Sequence, residues 1–150
     1  MEKKRIRVLI VEDSEAMAYL IQKAFEQRNN HVEWDLCIAQ NGEQALDCIF
    51  QRGIHSAAPI PDFVLLDWNL PKVNGEEVLR TLKTSEELRS VPVLVFSSSQ
   101  EHRDIQAAYQ AHANSYILKP SDIDALFAAI ESIENYWVHT ARLPLRSIGS

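Results

Sequence analysis

Residues 8–13 read VLIVED, a short run of branched apolar side chains that ends in two carboxylates. A strand that is apolar at every position is typical of a parallel sheet, because helices cover both faces of such a sheet. Residues 63–67 repeat the pattern as FVLLD, and residues 91–96 and 116–118 are two further apolar runs. The sequence therefore predicts four parallel strands, two of which end in acidic side chains.

The segments between these runs have the spacing of amphipathic helices, and Ser14 can cap the first of them. Residues 32–38 instead alternate apolar and polar side chains, which favours a fifth strand at the edge of the sheet. Residues 52–61 contain one glycine and two prolines and predict a loop. Five strands that alternate with five helices predict a doubly wound α/β fold, with a five-stranded parallel sheet in the order 2-1-3-4-5 and helices on both faces.

The last two predicted helices carry clear apolar faces. Residues 101–112 place Ile105, Ala108 and Tyr109 on one face. The last helix carries a longer apolar series, namely Ile123, Leu126, Phe127, Ile130, Ile133 and Trp137. We expect both faces to pack against the sheet.

The composition excludes several classes of function. A length of 150 residues suggests one domain, and a hydrophobic content of 46% is enough for a packed core. The net charge of −6 argues against a broad surface for nucleic acid or an anionic membrane. The sequence has neither a long apolar stretch of membrane-spanning length nor a signal peptide. We therefore expect a cytoplasmic protein without nucleic-acid or membrane partners.

The two cysteines, Cys37 and Cys48, have two interpretations. Two reduced cysteines in or near the core are the simpler one, because cytosolic cysteines are often buried and the sequence lacks a C-x-x-C spacing. A redox pair or a pair of metal ligands is the alternative.

Carboxylates follow two of the predicted strands. Glu12 and Asp13 end the first strand and Asp67 ends the third, beside the switch point where ligands bind in such sheets. Carboxylate oxygens suit Mg²⁺, which combines one or two carboxylates with waters and phosphate oxygens. A cation would also relieve the repulsion among these carboxylates. Asp67 is then a candidate nucleophile for a phosphoryl group.

Three other residues fit this chemistry. Lys119 follows the fifth strand and offers a point charge to a phosphate oxygen. Ser97 ends the fourth strand and can donate its hydroxyl, and the backbone carbonyl of Asn69 could complete the metal shell. Each pattern alone is more often a polar turn or a helix cap. The interpretation depends on all of them falling at the same edge of one sheet.

Four motifs resemble the receiver domain of two-component response regulators. They are VED at residues 11–13, LLDWNLP at residues 65–71, Ser97, and YILKP at residues 116–120. The separations of Asp67 from Ser97 and from Lys119 also match chemotaxis-type receivers. The resemblance covers most of the chain and implies a flavodoxin-like receiver fold.

The resemblance implies a role for each of these residues. Asp67 would be the phosphoacceptor, Lys119 and Ser97 the phosphoryl sensors, and Tyr116 the aromatic side chain whose rotamer reports the state of Ser97. The Mg²⁺ pocket would consist of Glu12, Asp13 and Asp67. The family also implies a cis peptide bond between Lys119 and Pro120.

A narrower resemblance suggests the partners. Residues 52–61, 84–88 and 133–144 are similar to the small response regulators that pair with cyanobacterial phytochromes. This implies a sensor histidine kinase, with a phytochrome as the candidate. We interpret residues 1–138 as the receiver domain and residues 139–150 as a C-terminal tail, too short for a DNA-binding domain.

Output is therefore expected through protein contact. Tyr136 and Trp137 extend the last helix beyond the expected end of the receiver core. They could simply cover the end of the helix. The alternative is a homodimer contact on the face formed by the fourth helix, the fifth strand and the fifth helix.

Two alternative functions predict different residues at these positions. A metal-dependent phosphohydrolase with an aspartyl nucleophile typically carries a second aspartate two residues later, where this chain has Asn69. A flavin-binding module would need a phosphate-cradling loop after the first strand, where this chain has Glu12 and Asp13. Both patterns favour a receiver over an enzyme or a flavoprotein.

Overall fold

The computed structural model describes residues 4–27, 31–53 and 60–144. The strands are β1 (Lys4–Val11), β2 (Val32–Ala39), β3 (Phe63–Leu66), β4 (Val93–Ser97) and β5 (Ser115–Leu118). The helices are α1 (Glu15–Glu26), α2 (Gly42–Ile49), α3 (Gly75–Thr84), α4 (His102–Gln110) and α5 (Ile123–Glu134). A π-helical segment, Asn135–Thr140, continues α5. Most of the predicted loop at residues 52–61 and the end of the tail lie outside the described residues.

The sheet confirms the predicted fold class. Its five strands are all parallel and lie in the order β2-β1-β3-β4-β5, with β2 at one edge. In the register of β1 and β3, Val11 lies opposite Leu66. The next residue of each strand, Glu12 and Asp67, must therefore emerge side by side at the carboxyl edge of the sheet.

Two apolar layers cover the two faces of the sheet. Leu9 and Val11 of β1 pack with α2, α3 and α4 on one face, whereas Val8 and Ile10 pack with α1 and α5 on the other. This alternation follows from the two-residue period of a strand. Burial of each such side chain contributes about 1.5–3 kcal/mol relative to exposure, so the central strands hold the carboxyl edge in place.

Side-chain caps fix the start of two helices, and the predicted cap at Ser14 was confirmed. Ser14 caps α1, since its hydroxyl accepts a hydrogen bond from Met17 N at 3.2 Å. The side chain of Asn41 caps α2 in the same way, with Gln44 N as the donor at 2.8 Å. Within the described residues, no helix is long and apolar enough to cross a bilayer.

Three local predictions were wrong. Tyr109 does not share the buried face of Ala108, because it lies beside β5, where its hydroxyl accepts a hydrogen bond from Tyr116 N. Ile123, the first residue of α5, is exposed, whereas Leu126, Ile130 and Ile133 of the same helix are buried. The Lys119–Pro120 bond is trans, as are all peptide bonds in the described ranges. The trans isomer is the lower-energy form of such bonds by about 0.5–1 kcal/mol.

Helix α5 does not end at the predicted domain boundary after residue 138. The π-helical segment carries the helix to Thr140, and Val138 is buried against the layer that contains α1. Lys4 Nζ of β1 also donates to Val138 O at 3.3 Å. The boundary itself stays a prediction.

Two glycines let α2 and α3 approach the loop that follows β3. A Cβ on Gly42 would overlap the carbonyl of Val73. A Cβ on Gly75 would lie 2.6 Å from Asp67 O and 2.7 Å from Trp68 Cα. Both obstacles are backbone atoms, which cannot turn aside as a side chain can.

We expect Gly75→Ala to lower the free energy of unfolding by about 2 kcal/mol, because the new methyl group must displace the backbone at Asp67. Urea denaturation followed by circular dichroism measures the change. Gln106→Ala, at an exposed position of α4, serves as the control and should stay within about 0.5 kcal/mol of the wild type. Equal stability of the Gly75 variant and the control would contradict the close packing.

Candidate functional site

The carboxyl edge of the sheet gathers three carboxylates. Glu12 follows β1, Asp67 follows β3, and one carboxylate oxygen from each of Glu12, Asp13 and Asp67 lies within 4.8 Å of the others. Glu12 and Asp67 are buried, with exposed fractions of 3% and 7%, whereas Asp13 faces solvent. Backbone hydrogen bonds fix the loops, since Asp67 N donates to Val11 O at 3.0 Å and Glu12 N donates to Ala39 O at 2.9 Å.

Lys119 brings one positive charge to this cluster. Its Nζ lies 2.7 Å from Glu12 Oε1 and 3.0 Å from Asp67 Oδ2. The side chain is only 13% exposed. Lys119 follows β5, and its backbone N donates to Ser97 O at 2.9 Å, so the ordinary ladder between β4 and β5 aims the ammonium at the acidic cluster.

The electrostatics of the site are set by burial and by this ion pair. Burial raises the pKa of Glu12, the hydrogen bond and charge of Lys119 oppose that shift, and the negative charge of Asp67 adds to it. Burial alone would lower the pKa of Lys119, but its hydrogen bond to Glu12 and the charges of Asp67 and Glu12 outweigh burial and raise that pKa. Lys119 therefore stays charged, and it leaves the three carboxylates with excess negative charge.

The donor set fits a divalent cation. Three hard oxygen ligands converge, and a single ammonium cannot neutralise them. Asp13 opens the cluster to solvent on one side, which suits Mg²⁺ because that ion retains several waters. Asn69 also lies here, with its backbone N 3.3 Å from Asp67 Oδ1. The proposed role of its carbonyl as a metal ligand stays a prediction.

Ser97 and Tyr116 meet at the loop between β4 and α4. Ser97 is fully buried, and its hydroxyl accepts a hydrogen bond from Ser99 N at 3.2 Å. Tyr116 is half-buried, and its hydroxyl donates to Ser99 O at 2.8 Å. A single residue, Ser99, thus connects the two side chains that the sequence assigned to sensing and switching.

Sequence reasoning missed the residues that hold this loop and the loop after β3. Ser99 donates its hydroxyl to Asp104 Oδ2 at 2.5 Å, which ties the loop to α4. Trp68 and Leu70, on either side of Asn69, are buried in the core. The alternation of apolar and polar residues at positions 68–70 was a usable signal for these two anchors.

The chain is similar to known response regulators over nearly its whole length. Residues 8–131 match the response regulator receiver domain family. The chain is 35% identical over 137 residues to the response regulator Rcp1 of Synechocystis sp.. This match covers 91% of this chain and 92% of that protein. It is 40% identical over 141 residues to FilR2 of Methanothrix harundinacea, a probable methanogenesis regulatory protein, with 91% and 86% covered.

Solved structures give the same result. The Mn²⁺-bound form of Rcp1 superposes with a TM-score of 0.87 at 34% identity, covering 93% of this chain and 99% of that one. The phosphorylated cyanobacterial phytochrome response regulator RcpA superposes with a TM-score of 0.90 at 37% identity, covering 94% and 99%.

We expect Lys119→Met to lower the free energy of unfolding by about 2 kcal/mol in the presence of a metal chelator, because Glu12 and Asp67 would then be buried without a counter-charge. Urea denaturation measures the loss. Lys72→Met is the matched control, since Lys72 is exposed and its Nζ lies 4.0 Å from Glu43 Oε2. That control should change stability by less than about 0.5 kcal/mol. A Lys119 variant as stable as the control would show that the ion pairs of Lys119 with Glu12 and Asp67 do not stabilise the fold.

Proposed function

Because the chain belongs to the response regulator receiver domain family, we propose that it is the phosphoacceptor of a two-component signalling system. Asp67 accepts the phosphoryl group, and Mg²⁺ is the cofactor. The observation that carries the proposal is the position of Asp67, buried between an acidic cluster and the ammonium of Lys119. A carboxylate in such a place can act as a nucleophile, with the ammonium of Lys119 on one side and a cation held by the acidic cluster on the other.

The chain's own groups prepare the transfer of the phosphoryl group. Lys119 Nζ and Asn69 N each hold one oxygen of Asp67, which fixes the direction of the carboxylate. An Asp67 oxygen attacks phosphorus as the bond from phosphorus to the donor's histidine nitrogen breaks, and an acyl phosphate forms. Lys119 then pairs with a phosphoryl oxygen. Glu12, Asp13 and Asp67 would hold Mg²⁺, which would supply positive charge beside an anionic phosphoryl group.

The switch follows from the contacts of Ser97 and Tyr116. The hydroxyl hydrogen of Ser97 can donate to a phosphoryl oxygen on Asp67. In this structure the hydroxyl of Ser97 accepts a hydrogen bond from Ser99 N, so a movement of Ser97 toward the phosphoryl oxygen also moves Ser99. Ser99 O then releases the hydroxyl of Tyr116, and the ring turns inward. The face formed by α4, β5 and α5 is thereby biased between two conformations.

We propose a sensor histidine kinase as the donor, docked over α1 beside Glu12. Tyr19 of α1 is 58% exposed and borders a shallow groove that Glu12, Glu15 and Gln22 also line. RcpA is a phytochrome response regulator by name, which supports a phytochrome as the kinase. The kinase and the receiver would meet in the cytoplasm, without a nucleic acid or a membrane as partner.

We predict that Asp67→Asn abolishes phosphorylation. Incubation of the wild type with acetyl phosphate and Mg²⁺ should give a single phosphoryl adduct by intact mass, and removal of Mg²⁺ should prevent it. The asparagine amide is a poor nucleophile and should give no adduct. Asp124→Asn, at an exposed position of α5, is the control and should label as the wild type does.

Two results would count against this assignment. A phosphoryl adduct retained in Asp67→Asn would place the acceptor elsewhere. Steady release of phosphate from a phosphate monoester, many times per molecule, would favour the phosphohydrolase alternative.

Output through a homodimer has support from the exposed apolar groups of the face formed by α4, β5 and α5. Tyr109, Leu118, Ile123 and Tyr136 are all large side chains that are at least 44% exposed. A groove of about 470 Å³ beside β5 is lined by Ile117, Ile133, Tyr136 and Trp137, among others. Apolar surface of this kind is typical of a contact with a partner, and a second copy of the receiver unit at residues 1–138 would bury it.

We expect Tyr136→Glu to weaken the dimer at least tenfold, because a carboxylate would be buried in an apolar contact. Sedimentation equilibrium, with and without phosphorylation, measures the dissociation constant. Tyr19→Glu is a matched control, because Tyr19 is 58% exposed and Tyr136 is 55% exposed but Tyr19 lies on α1. A wild type that stays monomeric at micromolar concentration in both states would contradict the dimer.

A further inference from the structure

The two cysteines of the chain meet away from the acidic site. Cys37 lies on the edge strand β2 and Cys48 on α2, and their Sγ atoms are 3.5 Å apart. Both are free thiols. The proposed phosphoryl transfer uses neither of them.

The two thiols differ in their access to solvent. Cys48 is buried, with 3% of its surface exposed, whereas Cys37 is half-buried. Both line an apolar cavity of about 280 Å³ that Arg7, Leu36 and Pro61 also border. A hydroperoxide as small as hydrogen peroxide can enter a cavity of this size and meet Cys37 first.

The pair also differs in acidity. The hydrogen bond with Cys48 lowers the pKa of Cys37 to about 7, although burial and the charge of Asp35 act in the opposite direction. The same hydrogen bond, together with burial, raises the pKa of Cys48. When Cys37 is the thiolate, the S–H group of Cys48 is the donor of this hydrogen bond and stabilises the negative charge on Cys37.

We propose that Cys37 and Cys48 form a reversible intramolecular disulfide, with Cys37 as the attacking thiol, Cys48 as the resolving thiol and a hydroperoxide as the oxidant. The contact between the two sulfur atoms carries the proposal, because resolution needs the second thiol within reach of the first. The proposal does not depend on phosphorylation of Asp67.

The chemistry balances with one molecule of hydrogen peroxide. The Cys37 thiolate attacks one peroxide oxygen, the O–O bond breaks, and the hydroxide that leaves takes a proton to become water. The sulfenic acid formed on Cys37 is then attacked by Cys48 sulfur. The S–S bond forms, the S–O bond breaks, and the leaving hydroxide takes the Cys48 proton as a second water. Two thiols lose two electrons and two protons, and the peroxide is reduced to two waters.

The bond would join two elements that border the acidic site. Strand β2 holds the Glu12 loop, because Ala39 O accepts the hydrogen bond from Glu12 N. Helix α2 packs closely against the loop after β3, where Gly42 lies against the backbone of Val73. A link from Cys37 to Cys48 closes a short loop of chain and fixes β2 against α2.

Stoichiometric hydrogen peroxide on the full-length native protein tests the proposal. We expect a mass loss of about 2 Da without formation of a covalent dimer, and recovery of both thiols with dithiothreitol. Cys37→Ser and Cys48→Ser should each show no such loss. Stepwise addition of oxygen to the separate thiols, or disulfide formation no faster than in urea-unfolded protein, would overturn it.

A second measurement tests the roles of the two thiols. Alkylation of Cys37 by iodoacetamide at neutral pH should slow roughly fivefold in Cys48→Ala, because loss of the S–H donor reduces the thiolate fraction more than it increases nucleophilicity. Equal alkylation rates in the wild type and the variant would contradict the assignment of Cys37 as the attacking thiol. The loss of mass and the comparison with urea-unfolded protein use the wild type alone and stand even if Cys48→Ala fails to fold.

Discussion

The carboxyl edge of this sheet depends on the ion pairs that the ammonium of Lys119 makes with two buried carboxylates. This ammonium joins Glu12 after β1 and Asp67 after β3 to a residue that follows β5. The strand register makes the contact possible, since Val11 lies opposite Leu66 and Ser97 lies opposite Leu118. A shift of one residue in any of these strands would turn the side chains toward the wrong face and separate the charges.

The same contact leaves the site incomplete. In the described part of the chain, the ammonium of Lys119 opposes three carboxylates, two of them buried. The repulsion among these carboxylates lowers the free energy of unfolding, and a bound divalent cation would raise it again. Residues that lower stability in this way are common at functional sites. The apolar layers on both faces of the sheet offset the cost, because β3, β4 and the last four residues of β1 are buried throughout.

The sequence was sufficient for the strand order and for bringing Glu12, Asp13, Asp67 and Lys119 to the same edge of the sheet. Apolar runs with polar ends locate β1, β3, β4 and β5, and the alternation in β2 places that strand at an edge. The sequence was insufficient for Tyr109, because an amphipathic side chain can pack on the core or lie at the surface with a similar free energy. It was also insufficient for the Lys119–Pro120 bond, because the cis and trans isomers of such a bond differ little in free energy. The contact of Cys37 with Cys48 depends on how α2 packs on β2, which no local pattern encodes.

The dependence of the unfolding free energy on Mg²⁺ tests the central claim most directly. If the three carboxylates form a cation site that Lys119 does not satisfy, stability should rise with Mg²⁺ as expected for one site, by about 2.7 kcal/mol at a hundredfold excess over the dissociation constant. Sodium chloride at the same ionic strength controls for screening of surface charges. A stability that does not respond to Mg²⁺, or that responds equally to both salts, would contradict the account.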